Sequence, residues 1–284
     1  MPSKPMALRG RPMAGWLAVP YLDLPTWLTP AQRGTVVALA ERNDAAHGDE
    51  LLGLVLSGSA ARDLATGLSD LDVMVVLTDR AAADRSTEKS QEVDEIVEAW
   101  SDLTTVAPFG TEYWWYRWSY AWAPVLLDRT GGALADAVRR QATLSPDEAD
   151  AVLVDHDRLD GWLNFAYRAL KNDRDGRAVE ARLDAAESVP WLLDVVFAMA
   201  GRVRPYNKYL PWELREHPLE GWAADDLLGL VQRTLDGDAS AVRETFARVR
   251  TACTAHDRRR GHTRTTDMVD GWGRELAIFD GTGG

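Results

Sequence analysis

The 284-residue chain has one cysteine, Cys253, so no disulfide can form within it and no oxidising compartment is implied. No apolar run approaches the ~18–20 residues that a membrane-spanning helix needs. The opening MPSKPMALRGRPMAG is basic but lacks an apolar h-region, so it does not read as a secretory signal. A soluble, cytoplasmic protein with no membrane partner is therefore expected. Lysine is also scarce. Of 32 basic side chains only Lys4, Lys89, Lys171 and Lys208 are lysines, which reads with the alanine content as genomic bias. Against 44 acids the formal net charge is −12. A basic nucleic-acid footprint is absent, and a long polyanion would be repelled. There is no internal repeat and no low-complexity segment. A chain of this length holds about two domains and can bury enough surface to need no metal or disulfide staple.

What is present divides into two halves. Residues 1–24 carry several prolines and glycines without periodicity and are expected to form an arm. Thr29-Pro30-Ala31-Gln32 is a capping box with proline in the first turn, predicting a helix to about Asn43. Leu51–Leu56 and Leu71–Leu77 are short apolar runs, too short for helices, and predict two buried strands. Residues 60–65 suit a short helix. Val93, Ile96, Val97 and Trp100 fall at helical spacing and predict a helix over Glu88–Trp100. Strands are expected near Thr104–Ala107, Glu112–Trp118 and Pro124–Leu127. The fold class predicted for residues 25–142 is mixed α/β. From Ser145-Pro146-Asp147-Glu148, a second capping box, the pattern turns helical. Helices are expected from there through Leu170, then over Arg177–Ser188, Pro190–Gly201, Ala224–Leu235 and Ala239–His256, making 143–258 a helical bundle. Residues 259–284 read as a loosely held tail.

The informative segment is Leu56-Ser57-Gly58-Ser59, followed ten residues later by Asp70-Leu71-Asp72-Val73. A glycine at a strand end lets a phosphate approach the backbone, and a helix opening just after it would present free N–H groups. Ser59 adds a hydroxyl. Asp70 and Asp72, two residues apart at a strand start, leave the same face, while Leu71 and Val73 point to the other. Two carboxylates side by side repel unless a cation sits between them, and Mg²⁺ carrying substrate phosphates meets that need.

This combination resembles the nucleotidyltransferase superfamily, whose motif is a Gly-Ser turn followed after roughly ten residues by Asp-x-Asp. It is particularly similar to the bacterial antibiotic (aminoglycoside or lincosamide) adenylyltransferases and their uncharacterised relatives. Those join a minimal nucleotidyltransferase domain to a helical one, and Arg204–Leu214 (RPYNKYLPWEL) looks like a segment of the helical domain of such relatives. The resemblance covers most of residues 30–256. It implies an enzyme that transfers a nucleoside monophosphate, AMP from ATP as co-substrate, to a hydroxyl of a small-molecule acceptor. Asp70 and Asp72 would hold Mg²⁺, and Gly58 and Ser59, with Ser69, would meet the triphosphate. A cationic, aminoglycoside-like acceptor suits the acidic excess, and an RNA acceptor does not. Protein side-chain modification, of the toxin–antitoxin kind, is the alternative within the class.

The family usually adds a third carboxylate from a neighbouring strand. Glu112 is the first choice here and Asp128 the second. If neither reaches the metals, the chain would be a catalytically degenerate nucleotide binder. Arg62 is placed either on phosphate or in a surface ion pair. Lys208 is either lent to the nucleotide by the helical half or an ordinary surface lysine. The cluster Trp114, Trp115, Trp118 and Trp122 either stacks on a ligand or packs as core. The five histidines show no metal-ligand spacing in sequence, His156 falls on an apolar helical stripe, and Cys253 reads as core filler. Oligomeric state leaves no mark in the sequence.

Overall fold

A computed structural model of the chain describes residues 22–281. Most of the expected arm lies outside them. The chain forms two compact units, one of the described residues up to Trp100 with Pro124–Leu134, the other of Ser101–Ala123 with Ala135 onward.

In the first unit, α1 (Pro30–His47) starts as the capping box predicts. Thr29 Oγ1 accepts from the Gln32 N–H at 3.2 Å, and Gln32 Oε1 accepts from the Thr29 N–H at 2.9 Å. The two apolar runs are strands β1 (Leu51–Ser57) and β2 (Leu71–Leu77). After the short α2 (Asp79–Ala82) come β3 (Glu88–Lys89), β4 (Val93–Ala99) and, later in the chain, β5 (Val125–Asp128). They form one mixed sheet in the order β3-β4-β2-β1-β5, with β2 and β4 parallel and the other pairs antiparallel.

The predicted helix over Glu88–Trp100 is thus a hairpin. Its turn is closed by Ser90, whose Oγ accepts from the Val93 and Glu92 N–H groups at 2.9 and 3.2 Å. Intrinsic helix preferences differ by only about 0.7 kcal/mol or less per ordinary residue. Pairing along the whole of β2 satisfies a row of buried backbone groups, which outweighs them. One face of the sheet packs Leu54, Leu56, Leu71, Val73, Val75 and Leu77 against Val36, Leu39 and Ala40 of α1. Each such side chain contributes about 1.5–3 kcal/mol on full burial. Glu95, in register with Val73, lies on this face, where Arg42 and Asn43 of α1 bond to its carboxylate.

The second unit is helical. Beyond α3 (Trp100–Thr104) the residues to Ala107 are not a strand, and Glu112–Tyr120 is a 3₁₀ stretch where a strand was expected. Its buried positions, Trp114, Arg117, Trp118 and Tyr120, do not alternate, and a strand would bury every second residue. Next come α4 (Ala133–Ala142) and α5 (Pro146–Asp150), the latter opened by the second capping box. The continuous helix expected from there is interrupted by a π turn over Ala151–Asp155 and by Asp157 at φ +55°, before α6 (Arg158–Arg174) resumes. His156, expected inside, is exposed at this break.

The two helices predicted on either side of Pro190 are one, α7 (Ala178–Met199). Ser188 Oγ donates to the Ala185 carbonyl at 2.7 Å within it, and Gly161 of α6 admits Trp191 so closely that a Cβ there would lie 2.3 Å from the ring. Tertiary packing holds this helix together across its proline. The remaining helices are α8 (Leu210–Glu216), α9 (Ala224–Leu235), α10 (Ala239–Arg260) and α11 (Arg264–Asp270). The residues expected as a loose tail include α11 and a 3₁₀ stretch over Gly273–Ile278. Val269 and Phe279 join the core that also holds Trp114, Trp118 and Cys253. Among the described residues no helix is long and apolar enough to cross a membrane.

Candidate functional site

β1 ends at Ser57, and the chain turns at Gly58, whose φ of +61° lies in the left-handed region that glycine enters without penalty. The turn is tight for a second reason. A Cβ on Gly58 would lie 1.7 Å from Asp72 Oδ2, so the glycine is what lets the Asp72 carboxylate lie against the turn. Ser59 leads into a single 3₁₀ turn, Ala60–Arg62, shorter than the helix the sequence predicts. Arg62 does not lie at the surface, where the ion-pair alternative put it. It is buried, and its Nη1 donates to the Gly58 carbonyl at 2.6 Å, bracing the turn from inside. Ser69 is engaged in its own loop, with Oγ accepting from the Thr66 N–H at 2.9 Å.

Asp70 stands just before β2, and Asp72 is its second residue, opposite Ser57 on β1. On the other side the parallel register places Asp94 of β4 directly beside Asp72. In-register residues of adjacent strands project from the same face. Asp94 is buried and Lys89 Nζ lies 3.1 Å from its Oδ2. The Lys89 ammonium is held above the usual lysine range by its hydrogen bond to Asp94 and the charge of Asp94, with Asp72 and Asp70 adding to the same effect. One exposed cation therefore feels three carboxylates. The donor set is all hard oxygen, which suits Mg²⁺ and gives no preference to a thiophilic metal.

Of the two residues proposed from sequence as the third acid, one lies in each unit. Asp128 closes β5, and its Oδ1 accepts from both the N–H and the hydroxyl of Thr130, each at 2.7 Å, so the carboxylate shapes the following turn. Glu112 is exposed at the first position of the 3₁₀ stretch in the second unit and lies on no strand. Lys208, also of the second unit, is exposed with its ammonium 4.6 Å from the centre of the Tyr209 ring. The tryptophan cluster divides. Trp114 and Trp118 are core, and Trp118 stacks on Tyr209 at 4.8 Å. Trp115 and Trp122 are exposed, Trp122 lying flat on His217 at 3.4 Å.

Sequence reasoning missed Asp94. The signal was there in the β-branched run around the Asp94-Glu95 pair, but Val93, Ile96 and Val97 satisfy helical spacing as well as strand composition.

No family model matches the chain, and no curated protein matches it. Among solved structures it is similar to a nucleotidyltransferase-like protein from Exiguobacterium sibiricum, at 13% identity and a TM-score of 0.37, covering 80% of this chain and 77% of that one. The reading of the site rests on its own geometry.

Proposed function

We propose that the chain is a Mg²⁺-dependent nucleotidyltransferase that moves AMP from ATP to a hydroxyl of a small-molecule acceptor. The observation that supports this reading is the juxtaposition of Asp72 with Asp94 on adjacent parallel strands, beside the Gly58 turn and two residues after Asp70. Asp70, Asp72 and Asp94 would hold the metal, which when bound neutralises the triphosphate and the attacking and leaving oxygens. The Gly58-Ser59 backbone, braced by Arg62, offers the β- and γ-phosphates a close approach that any side chain at 58 would block. The acceptor oxygen bonds to the α-phosphorus, the bond to the bridging oxygen breaks and pyrophosphate leaves. The hydroxyl proton passes to a carboxylate of the cluster or to water. The degenerate-binder reading supposes that no third acid reaches the metal, and the position of Asp94 beside Asp72 favours the catalytic reading.

The test is pyrophosphate release from ATP with Mg²⁺ across a panel of hydroxyl-bearing acceptors, cationic aminoglycoside-like compounds first. Asp70→Asn, Asp72→Asn and Asp94→Asn should each lower turnover by about 10²–10³-fold. Turnover unchanged in Asp94→Asn would remove it from the site, and label transferred from ATP to protein would replace the acceptor class.

A further inference from the structure

Two of the five histidines, which show no ligand spacing in sequence, converge in the second unit, independently of the reading above. Asp150 at the end of α5 faces His256 of α10 and His262 just beyond it. The distances are 2.7 Å from Oδ1 to His256 Nε2 and 3.0 Å from Oδ2 to His262 Nε2, and the three ligand atoms lie within 4.8 Å of one another. Asp150 and His256 are buried, while His262 is partly open to solvent.

A second layer stands behind the first. His262 Nδ1 lies 3.1 Å from Asp257 Oδ1, with the Arg264 N–H farther off at 3.4 Å. Asp257 is fixed in turn by Thr265 and Thr266, whose hydroxyls donate at 2.8 and 2.6 Å and whose backbone N–H groups donate at 3.2 and 2.8 Å. A histidine with a carboxylate at one ring nitrogen and a ligand group at the other is the arrangement in which a carboxylate orients a metal-binding imidazole.

We propose that Asp150, His256 and His262 form a site for Zn²⁺ or a similar borderline divalent cation, clamping α5 to the C-terminal end of α10. Ligand distances near 2.0–2.1 Å put tetrahedral ligand atoms roughly 3.3 Å apart. The 2.7 Å between His256 Nε2 and Oδ1 must open slightly, and no other separation among the three ligand atoms has to close by more than about 1.5 Å. Asp150 can bind through Oδ1 while Oδ2 keeps its 2.9 Å bond from Arg260 Nε. Two imidazoles and one carboxylate leave a fourth position for water. Without a metal, burial opposes the charge of Asp150, but hydrogen bonds from His256, His262 and Arg260 outweigh that and hold the carboxyl down to about 2.

The test is Co²⁺ titration of the full chain in saturating Mg²⁺, which occupies hard-oxygen sites. One equivalent should give the visible absorption of tetrahedral Co²⁺, Zn²⁺ should bleach it, and Zn²⁺ alone should raise the melting temperature by about 5 °C. His262→Gln and His256→Gln should each weaken binding at least tenfold, with His217→Gln as the unaffected control. Should either variant fail to fold, ring-nitrogen NMR of the unaltered protein decides. Zn²⁺ must shift Nε2 of both His256 and His262. No tetrahedral spectrum, a spectrum unchanged in His262→Gln, or shifts confined to other histidines would overturn the proposal.

Discussion

Gly58 carries two constraints at once, a positive φ and the Asp72 carboxylate where its Cβ would be. Gly58→Ala should therefore cost about 1–2 kcal/mol for the left-handed backbone, read from urea unfolding. It should cost more in turnover than in stability, because Asp72 has to move. Adjacent residues on β4 should separate in the opposite way. Asp94→Asn should remove activity with little change in melting. Glu95→Gln, on the buried face with Asn43 and the arginines Arg42 and Arg85, should cost about 1–3 kcal/mol and leave activity largely intact below the melt. Cys253 is a simpler case. Burial pushes its thiol up to about 12, so a thiol reagent near neutral pH should label it only when the chain unfolds.

At the scale of elements, the parts legible in sequence are those whose signal is local. The capping boxes at Thr29 and Ser145, the apolar runs of β1 and β2, and α9 read directly from neighbouring residues. The Gly-Ser and Asp-x-Asp pieces of the candidate site are local signals of the same kind. What was not legible depends on a distant partner. β4 is a strand because β2 needs one, and Glu112–Tyr120 is a spiral because Arg117 must reach the carbonyls of Gln141 and Thr143, at 2.9 and 2.7 Å, and the Glu148 carboxylate at 2.9 Å. α7 runs through Pro190 because its flanks are packed, and the histidine cluster exists only once α5 and α10 are assembled. Asp94, the proposed third acid, was hidden for the same reason as β4. Arg117→Met, which keeps the stem and removes the fork, should loosen the 3₁₀ stretch by about 2–4 kcal/mol, since several carbonyls and the Glu148 carboxylate lose their donor. Tryptophan fluorescence during unfolding would report it.

Across the whole molecule, acid should act through groups whose native pKa is depressed. For Asp150 the stabilisation is complete above its ordinary value of 3.8 and is lost as the pH falls through about 2. That is a loss of roughly 2 kcal/mol across the window. Urea melts taken down this range should show the decline, and Asp150→Asn should reduce it by about that amount, leaving the share of other depressed carboxyls such as Asp238. A fall of the same size in that variant would place the acid sensitivity elsewhere.

The sheet also has an order of arrival. β1 bonds to β5 along one edge, yet 25 residues of the chain separate Ala99, the end of β4, from Val125, the start of β5. That excursion belongs to the second unit. While the polypeptide is being made, β1, β2 and β4 can pair, but β1 keeps a row of unpaired backbone groups until Val125–Asp128 has emerged. An open, apolar edge of this kind is a template for pairing with another chain. Any product cut short before Pro124 should accordingly collect in aggregates even though every residue of the acidic cluster is already present in it.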